Sequence, residues 1–322
     1  MRLTLLISDL LPPAALVAEA PRLPCLETLL ARGDITRHEG GRLEEALLQC
    51  FGASTAATAA LTWLADGGEA GADTWLRADP VHLHLHRDHL QLHDAALLHP
   101  TATEANALVE SLNRHLEQDG LSLIAPHPTR WYLHLGEEPA PVTTPLWRMG
   151  GASVYEHLPQ NTAQRNWRAL QNELQMLLFD HPVNQVRQAR GALPINSLWF
   201  WGGGALPTRA APPVFTEIVA DMPLARGLAQ YAGLPAVSLP QHFSALAATT
   251  EQVLVVLDSP SQAVAQHDAA AWVATMQRIE ADWLKPATAA LTQGKLASLR
   301  CYLVNAQMTT EVIANRWSMW RL

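Results

Sequence analysis

The feature that most narrows the fold is a recurring one: short apolar runs that read as strands, separated by longer stretches with helical periodicity. Residues 3–7, 197–201 (SLWFW), 252–257 (QVLVVL) and 299–304 are too short or too aromatic for helices, and they read as buried strands. Residues 236–239 read as a further short strand. Residues 24–31, 43–51, 56–65, 215–231 and 269–291 read as helices. In the last of these, Trp272, Met276, Ile279 and Trp283 recur at compatible spacing. This alternation predicts an α/β fold: a mostly parallel sheet with helices on both faces.

The middle of the chain has a different character. Residues 81–86 alternate apolar and polar side chains, residues 91–94 continue a meander, and residues 103–117 form an amphipathic helix opened by Thr101 or Thr103. Residues 131–135 read as another strand, and residues 139–145 as a Pro/Thr-rich linker. This predicts a small α+β domain over residues 73–142, inserted into a core built from residues 1–72 and 143–322. The helix of residues 162–180 places Trp167, Leu170, Leu174, Leu177 and Leu178 at helical spacing, and Pro182 stops it. A polar connector then leads to the strand of residues 197–201 and to Gly202, Gly203 and Gly204, at a strand end of the kind where open α/β sheets hold ligands.

His181, Pro182, Val183, Asn184, Arg187, Pro194, Asn196, Trp201, Gly202 and Gly204 resemble a segment of the archaeal-type cofactor-independent phosphoglycerate mutases, members of the alkaline phosphatase superfamily. Arg130-Trp131-Tyr132, Asn172-Glu173 and Asn196-Ser197-Leu198-Trp199 resemble more closely a bacterial family described as RpfE-type regulatory proteins. The resemblance implies an alkaline-phosphatase-like core. It further implies that Arg130, Arg187 and Asn196 occupy anion-facing positions, where an Arg offers a rigid fork to phosphate or carboxylate.

The related enzymes use two divalent cations and a hydroxyl nucleophile, because paired cations stabilise both the attacking and the leaving oxygens. Asp9 matches their first acid. The nucleophile position falls on Ala56, with Ser54 and Thr55 nearby. Ser261 and Ala265 stand where an Asp and a His belong, and Asn305-Ala306-Gln307 replaces an Asp-His pair. Asp258, His267 and Asp268 are close but shifted. The expectation is a catalytically degenerate relative with no catalytic residue and no cofactor, one that acts in regulation by binding a small phosphorylated or carboxylate metabolite or a protein partner. The alternative is an active mutase or phosphatase with a rebuilt manganese or zinc site using Asp9, Ser54 or Thr55, Asp258, His267 and Asp268.

A second alternative is a metal-binding module. His82, His84 and His86 lie at alternate positions of a strand, with His89 and His93 close by, although side chains in a row on one face do not by themselves surround a tetrahedral ion. A net charge of −8 argues against general affinity for nucleic acid or anionic membranes. Three widely spaced cysteines form no CxxC and point to a reducing compartment. No uncharged run is long enough to span a bilayer, and residues 1–13 read as a buried strand rather than a signal peptide, which makes the cytoplasm the expected location.

Overall fold

The computed structural model describes every residue except 12–19, 54–56, 87–88, 150–153, 207–213, 247–250, 266–267 and 321–322. In chain order the elements are β1 (Arg2–Ser8), α1 (Pro24–Arg32), β2 (Asp34–Glu39), α2 (Leu43–Cys50), α3 (Thr58–Ala65), β3 (Thr74–His86), β4 (His89–His93), α4 (Ala95–Leu98), α5 (Ala102–Leu116), β5 (Ser122–His127), β6 (Arg130–Gly136), α6 (Trp167–Phe179), α7 (Pro182–Ala189) and β7 (Ser197–Gly204). They continue with β8 (Glu217–Val219), α8 (Pro223–Ala232), β9 (Ala236–Val237), β10 (Gln252–Leu257), α9 (Ser259–Ala265), α10 (Ala269–Ile279), α11 (Lys285–Thr292), β11 (Ser298–Val304) and β12 (Met308–Asn315). Two compact units result, one from Met1–Ala53 with Arg209–Leu322, the other from Ser54–Thr208.

The first unit is built on a seven-stranded sheet of order β2-β12-β11-β1-β10-β8-β9. Strands β11, β1, β10, β8 and β9 run parallel; β12 runs antiparallel to β11, and β2 antiparallel to β12. Residues Val253 to Leu257 of β10 are all buried, so both faces of the strand are covered, and a continuous apolar run is what such a strand requires. Leu3, Leu5, Ile7, Val253, Val255 and Leu257 face a core shared with α1, α10 and α11, into which Trp272, Met276, Ile279 and Trp283 pack. On the other face α2 lies against β1 and α8 against β8. The predicted helix of residues 269–291 is interrupted by a π turn at Glu280–Leu284. That turn presents the Glu280 carboxylate to the free N–H groups of Cys25 and Leu26 (2.6 and 3.2 Å) in the first turn of α1, whose N-cap Leu23 provides no side-chain acceptor.

The second unit holds a five-stranded sheet of order β4-β3-β6-β5, with β7 pairing antiparallel to β3. Leu198 and Phe200 of β7 point toward α5 and α6, where Leu108, Leu112, Trp167, Leu170, Leu174 and Leu178 pack with them. Trp199 and Trp201 point the other way, toward Val81, Met149 and Val154. Strand β7 therefore also needs apolar side chains on both faces, and the aromatic run satisfies that.

Several expectations change. Strand β7 does not belong to the parallel sheet; it lies in the antiparallel one, and the second unit reaches beyond residues 73–142 on both sides because β7, α3, α6 and α7 pack within it. Pro182 does not only stop α6. It opens α7 at a position whose N–H has no helical partner, behind His181 as N-cap. Residues 217–219, expected to be helical, form β8, and the helix begins only at Pro223. Among the described residues no helix is long and apolar enough to cross a membrane.

Candidate functional site

Two groups of polar residues stand out, one in each unit. In the first unit they gather where the parallel strands end. Asp9 follows β1 with φ +44°, a left-handed conformation uncommon for a non-glycine residue. Its N–H donates to Val304 O (2.7 Å), its carbonyl accepts from Trp272 Nε1 (2.9 Å), and its carboxylate accepts from Ser261 Oγ (2.9 Å). Burial raises the pKa of Asp9, opposed by the Ser261 hydrogen bond and the charge of Arg42. Asp258 follows β10; its carbonyl accepts from Ser8 Oγ (3.3 Å), and burial, with Asp221 nearby, raises its pKa as well. Glu44, in the first turn of α2, is pushed up to about 7, mainly by burial, with Glu45 and Asp258 adding to the rise and Arg42 opposing it.

Asn305, after β11, serves the backbone: its Oδ1 accepts from Gln307 and Met308 N–H (2.9 and 2.8 Å) and shapes the turn into β12. Ser54, Thr55, Ala56 and His267 lie outside the described residues. Among the described residues no three His, Cys, Asp or Glu side chains converge as a metal site. A paired-cation centre needs several ionised acids and imidazoles with open lone pairs. Here burial disfavours the ionised form of Asp9, a hydroxyl occupies its oxygen, and an amide holding a turn replaces a ligand pair, so the described donor set does not fit two cations.

In the second unit, Arg130 grips Asp66 with two parallel hydrogen bonds (Nε to Oδ2 2.9 Å, Nη2 to Oδ1 2.6 Å), and Tyr132 OH donates to Asp66 Oδ2 (2.6 Å). Burial acts to raise the pKa of Asp66, but these bonds and the charges of Arg130 and Arg77 outweigh it and hold the group below the usual aspartate range. Beside it the buried Arg77 is sandwiched between the rings of Tyr132 and Trp201, 5.1 and 4.8 Å from their centres. It pairs with Asp79, which also accepts from Trp131 N–H (3.2 Å) and Trp201 Nε1 (2.8 Å). Gly202 closes this region with φ +65°; a Cβ there would stand 2.2 Å from Thr58 Oγ1. Sequence reading missed Arg77, Asp79 and Asp66. The available signal was Arg77 and Asp79 alternating with Leu76 and Ala78, which extends the strand of residues 81–86 back to Thr74.

The three expected anion-facing residues do not act together. Arg187 is fully buried, and its guanidinium is divided between Leu193 O (2.8 Å), Glu104 Oε2 (2.9 Å) and Leu98 O (2.5 Å), which leaves no face for an anion. Asn196 uses its carboxamide on the backbone of β3, accepting from Leu83 N–H (2.7 Å) and donating to Leu83 O (2.9 Å). Arg130 keeps an exposed edge, with its side chain 23% accessible. The rings of His84 and His93 stack on that of His82, ring centres 6.1 and 6.0 Å apart with planes tilted by 21° and 28°, and among the described residues they form no group that could hold a metal ion. His82 Nδ1 donates to Pro194 O (2.9 Å); the side chains of His86 and His89 lie outside the described ones.

No family model matches the chain. Curated proteins do match part of it. A probable 2,3-bisphosphoglycerate-independent phosphoglycerate mutase of Geobacter sulfurreducens is 28% identical over 185 residues, 54% of this chain and 45% of the relative. The enzyme of that name from Methanosarcina barkeri is 28% identical over 163 residues, 47% and 40% of the two lengths. Over this stretch the chain is similar to the cofactor-independent phosphoglycerate mutases, at the distance of a divergent relative. The matched stretch covers less than half of each curated mutase. Among solved structures, the PH0037 protein of Pyrococcus horikoshii superposes with a TM-score of 0.61 at 14% identity, covering 98% of this chain and 87% of that one. The cofactor-independent phosphoglycerate mutase of Thermoplasma acidophilum superposes with a TM-score of 0.50 at 17% identity, covering 98% and 90%. The mutase-like, alkaline-phosphatase-like α/β fold is thereby assigned.

Proposed function

We propose that this mutase relative is catalytically degenerate, an RpfE-type regulatory protein of the cytoplasm that binds a small phosphorylated or carboxylate metabolite or a protein partner. The observation that carries this reading is the hydrogen bond from Ser261 to Asp9 at the C-terminal ends of β1 and β10. The one acid that the sequence aligns with a cation ligand is engaged by a neutral hydroxyl, and that hydroxyl belongs to Ser261, which stands where the resemblance expects a second acid. Asn305, fastened to its own turn, supports the same conclusion. For the metabolite, Arg130 is the remaining cation among the three expected residues, presenting the edge not spent on Asp66.

Two measurements on the full chain test this. Elemental analysis of protein purified without a histidine tag is expected to find no stoichiometric manganese or zinc, and added 3-phosphoglycerate is expected to remain unconverted in the presence of either ion. Two metal equivalents with mutase or phosphatase turnover would overturn the reading in favour of a rebuilt enzyme. Calorimetric titration with 3-phosphoglycerate is expected to show binding that weakens in Arg130→Gln; equal affinity in both proteins would remove Arg130 from the metabolite site.

A further inference from the structure

Strand β7 is cut short, and the way it is cut leaves an empty strand position beside β3. The pairing of β3 with β7 ends at Val81 opposite Ser197, although β3 continues to His86. Just before Ser197 the chain is drawn aside. Asn184 of α7 takes both peptide groups of Ile195, accepting from its N–H (2.8 Å) and donating to its carbonyl (2.7 Å). The next position along the edge of β3 is filled by a side chain: the Asn196 carboxamide pairs with Leu83 N–H and C=O as a strand residue would. Backbone direction alternates along a strand, so the peptide groups of Leu85 project to the same edge as those of Leu83, while those of His82 and His84 face β4. No described group pairs with Leu85 on that edge.

A groove of about 460 Å³ opens there. Leu83, Leu85, Leu90, Tyr155 and Leu158 supply an apolar wall, with Leu85 64% and Tyr155 57% exposed. Helix α6 supplies the polar wall with Arg168, Gln171, Asn172 and Gln175. Gln171 and Gln175 donate to Leu198 O (3.2 Å) and Ser197 Oγ (3.0 Å), which leaves their carbonyl oxygens as acceptors. Arg168 to Gln175 spans about 10 Å of helix, the length of about three residues of extended chain. No described carboxylate pairs with Arg168.

We infer that this vacated position is a docking groove for an extended peptide that continues the β3 edge at Leu85, places alternate apolar side chains against Leu85, Leu90, Leu158 and Tyr155, and presents a carboxylate to Arg168. An open strand edge gives affinity through main-chain bonds and selects side chains at every second position. A compact metabolite would use neither the edge nor the row of side-chain amides. The inference is independent of whether the first unit is catalytic.

The test is to pan a phage-displayed library of random dodecapeptides with free C-termini against the full chain and to measure the enriched sequences by fluorescence anisotropy. Enriched peptides are expected to alternate apolar residues and to carry an acid. Leu85→Lys is expected to weaken them about tenfold or more, as is N-methylation of two alternate peptide amides, whereas methylating the intervening amides costs little. Arg168→Gln is expected to cost about fivefold, an effect that disappears when the carboxylate of the peptide is an amide. Both substituted side chains are exposed, and unchanged thermal midpoints will show the fold intact. The inference is overturned if no enriched peptide responds to Leu85→Lys or if N-methylation is tolerated at every position. Sedimentation showing self-association relieved by Leu85→Lys would also overturn it, giving the groove to a second copy.

Discussion

Replacing Arg187 separates a structural from a ligand-binding role. In Arg187→Met the side chain stays long and apolar while three interactions vanish. Leu98 O and Leu193 O lose their donors in a buried setting, at about 1–3 kcal/mol for each carbonyl left unpaired. Glu104 loses its buried partner but keeps Arg190 (2.7 Å) and the N–H of Thr101 (2.8 Å), so its share is the smallest. The expected destabilisation is about 3–5 kcal/mol, the range for removing one member of a buried charge pair. For a unit the size of Ser54–Thr208 this corresponds to a fall of about 10 °C in thermal midpoint. Differential scanning calorimetry measures it directly, and urea unfolding followed by tryptophan fluorescence should give a lower midpoint with an unchanged slope. A fall of under about 3 °C, together with lost binding of 3-phosphoglycerate, would refute the assignment and return Arg187 to an anion site.

Glu44→Gln should stabilise the protein at pH 8 and change little at pH 4. The folded-state pKa is raised to about 7 from 4.5, so the wild type loses stability as pH climbs through that interval and none beyond it. A gain on the order of 1–3 kcal/mol at pH 8, read by urea unfolding across the pH series, is expected. Asp66→Asn runs the other way. The depressed pKa stabilises the wild type above the ordinary aspartate range, and that advantage is lost as pH falls through the folded-state value, so the stability curves of the two proteins should converge in strong acid and differ by about 1–3 kcal/mol at neutrality. Gly202→Ala should cost about 1–3 kcal/mol by thermal melting. Adding Thr58→Ala should restore part of that loss, because it removes the 2.2 Å clash and leaves the left-handed backbone strained.

Strands β1 and β10 were legible because each is buried on both faces and therefore written as an apolar run, whereas β11 was legible from alternation, with Leu299, Cys301 and Leu303 buried and Arg300 between them exposed. Strand β2 (DITRHE) was not. It is an exposed edge strand, and nothing in its composition distinguishes it from a loop. Helix α7 was hidden because proline ends one helix and opens another with equal ease. At the candidate site the chemistry of Asp9, Arg130, Arg187 and Asn196 was readable, but not which partner claims each group. Ser261 reaches Asp9 across 252 residues and Glu104 reaches Arg187 across 83. A guanidinium suited to phosphate is equally suited to two carbonyls and a carboxylate, and only the folded packing decides between them.

The order of strands in the first sheet has a consequence for synthesis. Strand β1 sits between β10 and β11, whose partner residues begin at Gln252 and Ser298. Everything that the Ser54–Thr208 unit needs has left the ribosome before either partner is translated. At roughly 5–20 residues per second, Leu3 to Ile7 wait on the order of ten to fifty seconds as an unmatched apolar ribbon. The nascent chain is most exposed to aggregation and to chaperone capture in that interval, and slowing translation downstream of residue 208 will lengthen it.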